Sequence, residues 1–445
     1  MDTTAGGAPE AARTARAAAG GGTPGGDGDD GRDGPDDGGT DGAGRRDAGP
    51  RSVRLGSVGL AAADLGGPGG WDLAGPGGAD GSVDGERSAP PSRPPSGGGA
   101  VDVAGMVVLA CCAVWVMVCA AGREARPEGM MLALLAITAG YAAGRILGAL
   151  LPTVTLAAGA VTVLALVLGP GHRLSGVRAA PPLGYPNADA ALLVLAAGAA
   201  CCAAWGVTRA VWGLPPAVWR ALLRLLATAA AVTALALGSA AAFAAGVAVV
   251  LCSLAAGRMP HRLLGLLGFA LAAALAVGGS YAVAADSLPG GLSESLTGQL
   301  TQPRVALWHQ ALDLAERHPL RGVGPDRFSE EGPPLPTDTP TAETPQSAPF
   351  QLAAEQGAPG VALLGGAYVW TLCALWRSPR STPAVLTAGA ALTGLGLLAT
   401  VDHVLSYTAV TAAAGLLAGL VTSRPLPAQV PAPAPHQRAG QGSGR

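Results

Sequence analysis

Apolar residues run along this chain in long blocks rather than in alternation. Between Val101 and Thr422 they form segments near 101–121, 129–149, 152–169, 189–208, 222–239, 240–257, 263–284, 358–376, 383–401 and 404–422. Each approaches the roughly 20 residues that a helix needs to cross a hydrocarbon core of about 30 Å. The pattern predicts an all-α, polytopic transmembrane bundle of about ten spans over 101–422. The run from Ala221 to Gly257 is about twice one span in length, and Gly238-Ser239 near its middle predicts a break there.

Polar positions gather in three places. Residues 1–100 mix Gly, Asp, Pro, Ala and Arg with few large apolar side chains. Such a composition does not bury enough surface to offset its ordering entropy, so a disordered cytoplasmic tail is expected. The stretch lacks the arrangement of a signal peptide, which leaves insertion to the first apolar helix. A second short tail is expected over 423–445. The third polar stretch, 285–357, is the one long polar segment between apolar ones, predicting a large loop that carries recognition or chemistry.

Charge orients this arrangement. All 28 basic residues are arginines, and with 30 acids the net charge is −2. That balance argues against a nucleic-acid partner, which calls for a basic excess. With the long loop outside, the inner connections hold Arg209, Arg220, Arg224, Arg258, Arg262, Arg377, Arg380 and the C-terminal arginines, whereas the outer ones hold fewer. The bias places both termini in the cytoplasm of a bacterial plasma membrane, with lipids as neighbours. Small residues four apart, Thr155/Gly159, Ala390/Gly394 and Gly415/Gly419, predict close helix contacts. The seven cysteines all lie in apolar runs and read as small core fillers. No Cys-x-x-Cys or His-Glu-x-x-His motif occurs, so neither metal nor cofactor is expected.

Within the loop, residues 303–317 predict an amphipathic helix with Val305, Trp308, Leu312 and Ala315 on one face, lying in the headgroup layer with Trp308 as anchor. Gly322-Val-Gly324-Pro325 predicts a tight turn, either plain or presenting backbone N–H groups to a ligand.

The order Arg304-x-x-x-Trp308, His318-Pro-Leu-x-Gly-Val-Gly-Pro-x-x-Phe328, then Gln346-Ser347 leading to Ala-Ala-Glu355-x-Gly357-x-x-Gly360, resembles the loop signature of the O-antigen ligase and polymerase superfamily. Asp402-His403 sits where that family has a comparable outer turn. The resemblance covers about 190–422, and 101–189 by hydropathy alone. It implies a glycosyltransferase that takes a glycan from an undecaprenyl-pyrophosphate carrier outside the membrane and passes it to a glycan or other surface acceptor. Arg304 matches the arginine that opens the family loop, a candidate ligand of the pyrophosphate or else a snorkelling interfacial arginine. Arg321 and Arg327 are reserve phosphate ligands or solvated charges. Asp402 is a candidate substrate ligand and His403, Glu355 and Gln346 candidate catalytic groups; solvation explains Asp402 and His403 equally well, and helix capping Glu355. His318 reads mainly as a loop-shaping residue.

Two departures accompany the resemblance. Gln346 stands where the family usually has a histidine, and an amide donates and accepts hydrogen bonds without taking a proton. Gly238-Ser239-Ala240-Ala241 stands where a Ser-Arg-Gly-like element is usual. Two alternatives therefore stay open. One is a non-catalytic relative that binds lipid-linked glycan or scaffolds envelope assembly. The other is a transporter or flippase, disfavoured by the scarcity of ionisable residues within spans other than Arg145.

Overall fold

The computed structural model describes residues 99–169, 183–210, 212–287, 302–331 and 344–424. The expected tails therefore lie outside the described residues except at 99–100 and 423–424, as do 288–301 and 332–343 of the long loop. Among the described residues the regular elements are helices: α1 Gly99–Ala120, α2 Glu128–Leu150, α3 Pro152–Leu168, α4 Pro186–Gly206, α5 Pro216–Ala236, α6 Ala240–Ala256, α7 Arg262–Ala284, α8 Gln302–Arg317, α9 Phe328–Glu331, α10 Ala348–Trp376, α11 Thr382–Val401 and α12 Thr408–Thr422. A 3₁₀ turn, Val404–Ser406, precedes α12.

Ten of these helices coincide with the ten apolar segments. Seven of them, α1, α2, α4, α5, α7, α10 and α11, are long and apolar enough to cross a membrane; α3, α6 and α12 are apolar but shorter, at 17, 17 and 15 residues. The protein is a multi-pass membrane protein, with seven such helices among the described residues. The long run at 221–257 does break where glycine permits it: α5 ends at Ala236, Gly238 takes φ +87°, and α6 starts at Ala240.

Helix α4 is the buried axis. Its Ala-, Gly- and Cys-rich sequence puts small side chains on every face, and nearly every residue from Ala188 to Ala204 is buried. Helix α11 is buried almost as fully beside it. Between helices in lipid the hydrophobic drive is weak, so close van der Waals fit has to supply association. The tightest fit joins α2 to α12. A Cβ at Gly144 would fall 2.9 Å from the Leu420 nitrogen, and one at Gly415 would fall 2.9 Å from the Tyr141 nitrogen. Of the small-residue pairs read from the sequence, Gly415/Gly419 makes this contact and Gly394 meets Val194. Gly159 has nothing within 4 Å, so the Thr155/Gly159 pair makes no such approach there.

One ionic contact inside the bundle extends the expectation for Arg145. Its Nη2 lies 2.6 Å from Asp102 Oδ2, Tyr141 donates to Asp102 Oδ1 at 2.8 Å, and Arg145 Nη1 donates to the Thr422 carbonyl. Charge on α2 is thus matched by charge on α1 and by the end of α12.

Candidate functional site

The segment expected to lie in the headgroup layer instead builds a small core of its own. Leu307, Trp308, Ala311 and Leu314 of α8 are buried against Val323, Phe328, Phe350 and Ala354, with Val283 and Ala284 from the end of α7. Trp308 is 1% exposed, donates to the Pro345 carbonyl at 3.0 Å and tilts against Phe350 at 5.1 Å. It is therefore a core residue, not an interfacial anchor. The amphipathic helix forms as the pattern predicts, and Trp308, Val305 and Leu312 of the expected face pack on this core; the fully buried positions are shifted to 307, 308, 311 and 314, because the facing apolar groups come from sequence-distant segments.

The core is tied to a break in α10. Pro359 has no N–H to give to the Glu355 carbonyl one turn back, and Gly357 leaves helical geometry at φ +70°, ψ −169°. Each group left over finds a partner. The Ala354 carbonyl accepts from Val323 N and the Glu355 carbonyl from Gly324 N, both at 2.9 Å, while Ala358 N donates to the Pro319 carbonyl at 2.9 Å. Trp115 Nε1 takes the Gln356 carbonyl at 3.1 Å. The Gly322–Pro325 turn therefore spends its Val323 and Gly324 amides on the broken helix. Only glycine fits this crossing: Gly322 takes φ +58°, and a Cβ there would sit 2.5 Å from the Ala354 carbonyl oxygen. His318 is exposed, and its carbonyl closes the turn by accepting from Gly322 N at 3.0 Å. Helix α10 begins at Ala348, so the last residues of the expected loop, 348–356, are helical.

The arginines differ in what holds them. Arg304 donates through Nε at 3.2 Å and Nη2 at 3.1 Å to Gln346 Oε1. Gln346 is at φ +49°. Arg321 Nη2 donates to the carbonyls of Val118 and Ala121 at the end of α1, the second at 3.1 Å, and Arg123 Nη1 reaches the Gly322 carbonyl at 2.6 Å. Arg327 is paired with Glu330 at 3.3 Å and Glu331 at 2.7 Å. Among the described residues Arg304 meets no carboxylate, Arg321 caps a helix, and Arg327 is neutralised by its own helix.

A second cluster stands at the same end of the bundle, in the turn between α11 and α12. Tyr185 donates to both Asp402 oxygens at 3.0 Å, and Asn187 Nδ2 donates to Asp402 Oδ2 at 2.6 Å. His403 Nδ1 lies 3.1 Å from Asp402 Oδ1, and the His403 ring is tilted against Tyr185 at 4.8 Å. Tyr407 stacks on the other side of Tyr185 at 5.6 Å. Burial raises the Asp402 carboxyl, but the hydrogen bond and charge of His403 and the Tyr185 hydroxyl outweigh it and hold the carboxyl below its ordinary value. Burial and the neighbouring carboxylate push the Tyr185 hydroxyl up to about 12. Asp402 and His403 are thus not simply solvated. Sequence reasoning missed Tyr185, Asn187 and Tyr407; their one signal was position, at the starts of α4 and α12.

Glu355 and His403 converge on one cavity of about 610 Å³ bounded by α1, α2, α10 and the 402–407 turn. Its deep wall is apolar, with Leu109, Val116, Leu134, Ile137 and Leu363; its upper wall carries Arg126, Thr344, Gln351, Glu355 and His403. Glu355 is 1% exposed, and Oε1 accepts from Gln351 Nε2 at 3.3 Å while Oε2 has no hydrogen-bond partner. A cavity greasy below and polar above matches an amphiphile whose reactive group sits at the membrane surface. Among the described residues no cluster of side chains suits a metal ion.

Residues 225–365 match the family model described as O-antigen ligase. No curated protein matches the chain.

Proposed function

We propose that the chain belongs to the O-antigen ligase family, whose model matches residues 225–365, and that it transfers or polymerises a glycan carried on undecaprenyl pyrophosphate at the outer face of the plasma membrane. Both termini then lie in the cytoplasm, and all ten apolar helices act as spans. The observation that carries this reading is the two-toned cavity beneath the α8–α10 core, which contains Glu355 and His403. The apolar wall suits the polyprenyl chain, and the polar wall suits the sugar.

In this reading Arg304 holds the pyrophosphate, since a neutral amide positions its guanidinium without cancelling its charge. The acceptor hydroxyl attacks the anomeric carbon, the bond from that carbon to the pyrophosphate oxygen breaks, and the pyrophosphate-bearing lipid leaves as an anion. The hydroxyl proton goes to His403. His403 is the base that Gln346 does not supply: its Nδ1 lies 3.1 Å from Asp402 Oδ1, and Nε2 is the nitrogen offered to the acceptor hydroxyl. Glu355 Oε2 accepts a hydrogen bond from a sugar hydroxyl.

The test is glycan transfer from an undecaprenyl-pyrophosphate donor by the full chain in lipid. His403→Gln is expected to lower turnover by roughly 10²-fold or more with donor binding kept, and Arg304→Ala to weaken donor binding. Full turnover in His403→Gln removes it as the base. The non-catalytic alternative draws on Gln346 and the missing Ser-Arg-Gly element; a native protein that binds several donors yet transfers none would establish it.

A further inference from the structure

The end of the bundle opposite the loop holds a second cavity, of about 510 Å³, between the start of α7 and the connection from α10 to α11. It is lined by His261, Arg262, Trp376, Arg380, Ser381 and Thr382, among others. We propose that it binds the headgroup of an anionic phospholipid of the leaflet on that side. The inference is independent of the glycan reading.

Four observations carry it. First, two arginines meet in the cavity with nothing to neutralise them. Arg262 Nη1 donates to the Ser378 carbonyl at 2.8 Å, and Arg380 Nη2 donates to the Gly148 carbonyl at 2.6 Å and to Ser423 Oγ at 2.8 Å. Neutral oxygens fix both guanidinia in place, and neither meets a carboxylate among the described residues. At this end of the described chain the one carboxylate is Asp102, already paired with Arg145.

Second, the two positive helix ends converge here. Helices α7 and α11 begin at Arg262 and Thr382; neither N-cap residue, His261 or Ser381, makes a side-chain cap bond, and neither first turn carries an acid. Their first amide groups and the Ser381 and Thr382 hydroxyls add donors to the same space. Third, the contacts that fix the arginines are long-range, joining the α10–α11 connection to the ends of α2 and α12, so the donors are held in place before any ligand arrives.

Fourth, the cavity continues into an apolar surface. Trp376 is 42% exposed and Leu263 45%, and Leu264, Leu267 and Leu271 of α7 are exposed in succession beyond them. A phosphate at the arginines therefore has acyl chains ready to lie along α7, which favours a lipid headgroup over free phosphate. Trp376 marks the headgroup level.

The test is thermal unfolding of the purified full chain in neutral detergent, titrated in separate arms with phosphatidylglycerol, phosphatidylcholine and inorganic phosphate. Phosphatidylglycerol is expected to raise the midpoint saturably, with the other two having little effect. Arg262→Gln is expected to weaken the apparent affinity about tenfold. Ser381→Asp keeps a good N-cap and places a carboxylate in the cavity, so it should fold, be more stable without lipid and lose the phosphatidylglycerol response. Arg209→Gln, an exposed arginine at the same end outside the cavity, should respond as the native chain does. The proposal is overturned if phosphatidylglycerol and phosphatidylcholine act alike, if inorganic phosphate reproduces the effect, if Ser381→Asp keeps the full response, or if Arg209→Gln loses as much as Arg262→Gln.

Discussion

Arg304 grips Gln346 with two nitrogens on one oxygen: Nε and Nη2 both donate to Oε1, at 3.2 and 3.1 Å. The contact closes a loop of more than forty residues and aims a guanidinium without neutralising it. Arg304→Lys keeps the charge but not the fork, and is expected to lower donor affinity about tenfold, with Arg304→Ala lowering it further. Isothermal titration with an undecaprenyl-pyrophosphate glycan measures both, and equal affinity in all three proteins would take Arg304 out of the site.

Gly357 is where the broken helix crosses the 318–324 turn. Its dihedral angles belong to a region open to glycine alone, and a Cβ there would lie 2.5 Å from the Pro319 carbonyl oxygen. Gly357→Ala should destabilise the protein by about 1–3 kcal/mol or more. Gly365→Ala, on the same helix with open space around it, should change little. Thermal unfolding of the two variants compares them directly; matching midpoints would mean that the break is not required.

The close approach of α2 and α12 makes a similar contrast. Gly144→Leu would drive a side chain into the Leu416–Leu420 backbone, whereas Gly159→Leu enters open space. The first is expected to cost about 1–3 kcal/mol or more and the second almost nothing, as read from the fraction of protein remaining monodisperse after heating in detergent. Equal losses would show that helix hydrophobicity, not the contact, sets stability.

Asp402 gives stability a dependence on acid. Its carboxyl lies below the ordinary value of 3.8 because the contacts with His403 and Tyr185 outweigh burial. A group depressed on folding contributes stability above its unfolded value, and that contribution disappears as pH falls through the folded value. The native midpoint should therefore fall more steeply below about pH 4 than that of Asp402→Asn. Parallel acid limbs for the two would show that Asp402 carries no such linkage.

The sidedness proposed above is open to labelling. Ser347 is fully buried, so a cysteine there reports on burial and not on topology, whereas Glu316 is exposed on α8. Glu316→Cys on intact cells should react with an impermeant thiol reagent beyond the level of the parent chain. Reaction only after lysis would put the loop, and the proposed chemistry, on the inner side.

What this sequence determined by itself is what depends on local composition. Apolar runs placed ten helices, seven of them long enough to cross a membrane, although α5 and α10 start at Pro216 and Ala348, well ahead of the apolar segments at 222 and 358, because hydropathy does not register the polar first turns of a helix. Gly238 marked the α5–α6 break, and the order of Arg304, Trp308, the Gly-Val-Gly turn and Glu355 pointed to the family. Tertiary structure decided what each residue touches. Trp308 looked like a membrane anchor until Phe350 and Pro345, some forty residues away, enclosed it. Arg321 and Arg327 looked like Arg304 in the sequence, yet α1 carbonyls hold one and Glu330 and Glu331 hold the other. Tyr185 and Asn187 offered only their position at the start of α4, since their importance lies in reaching Asp402 more than two hundred residues on. Hydropathy is a sum over neighbours in the chain, whereas the state of a charge or an indole is set by neighbours in space.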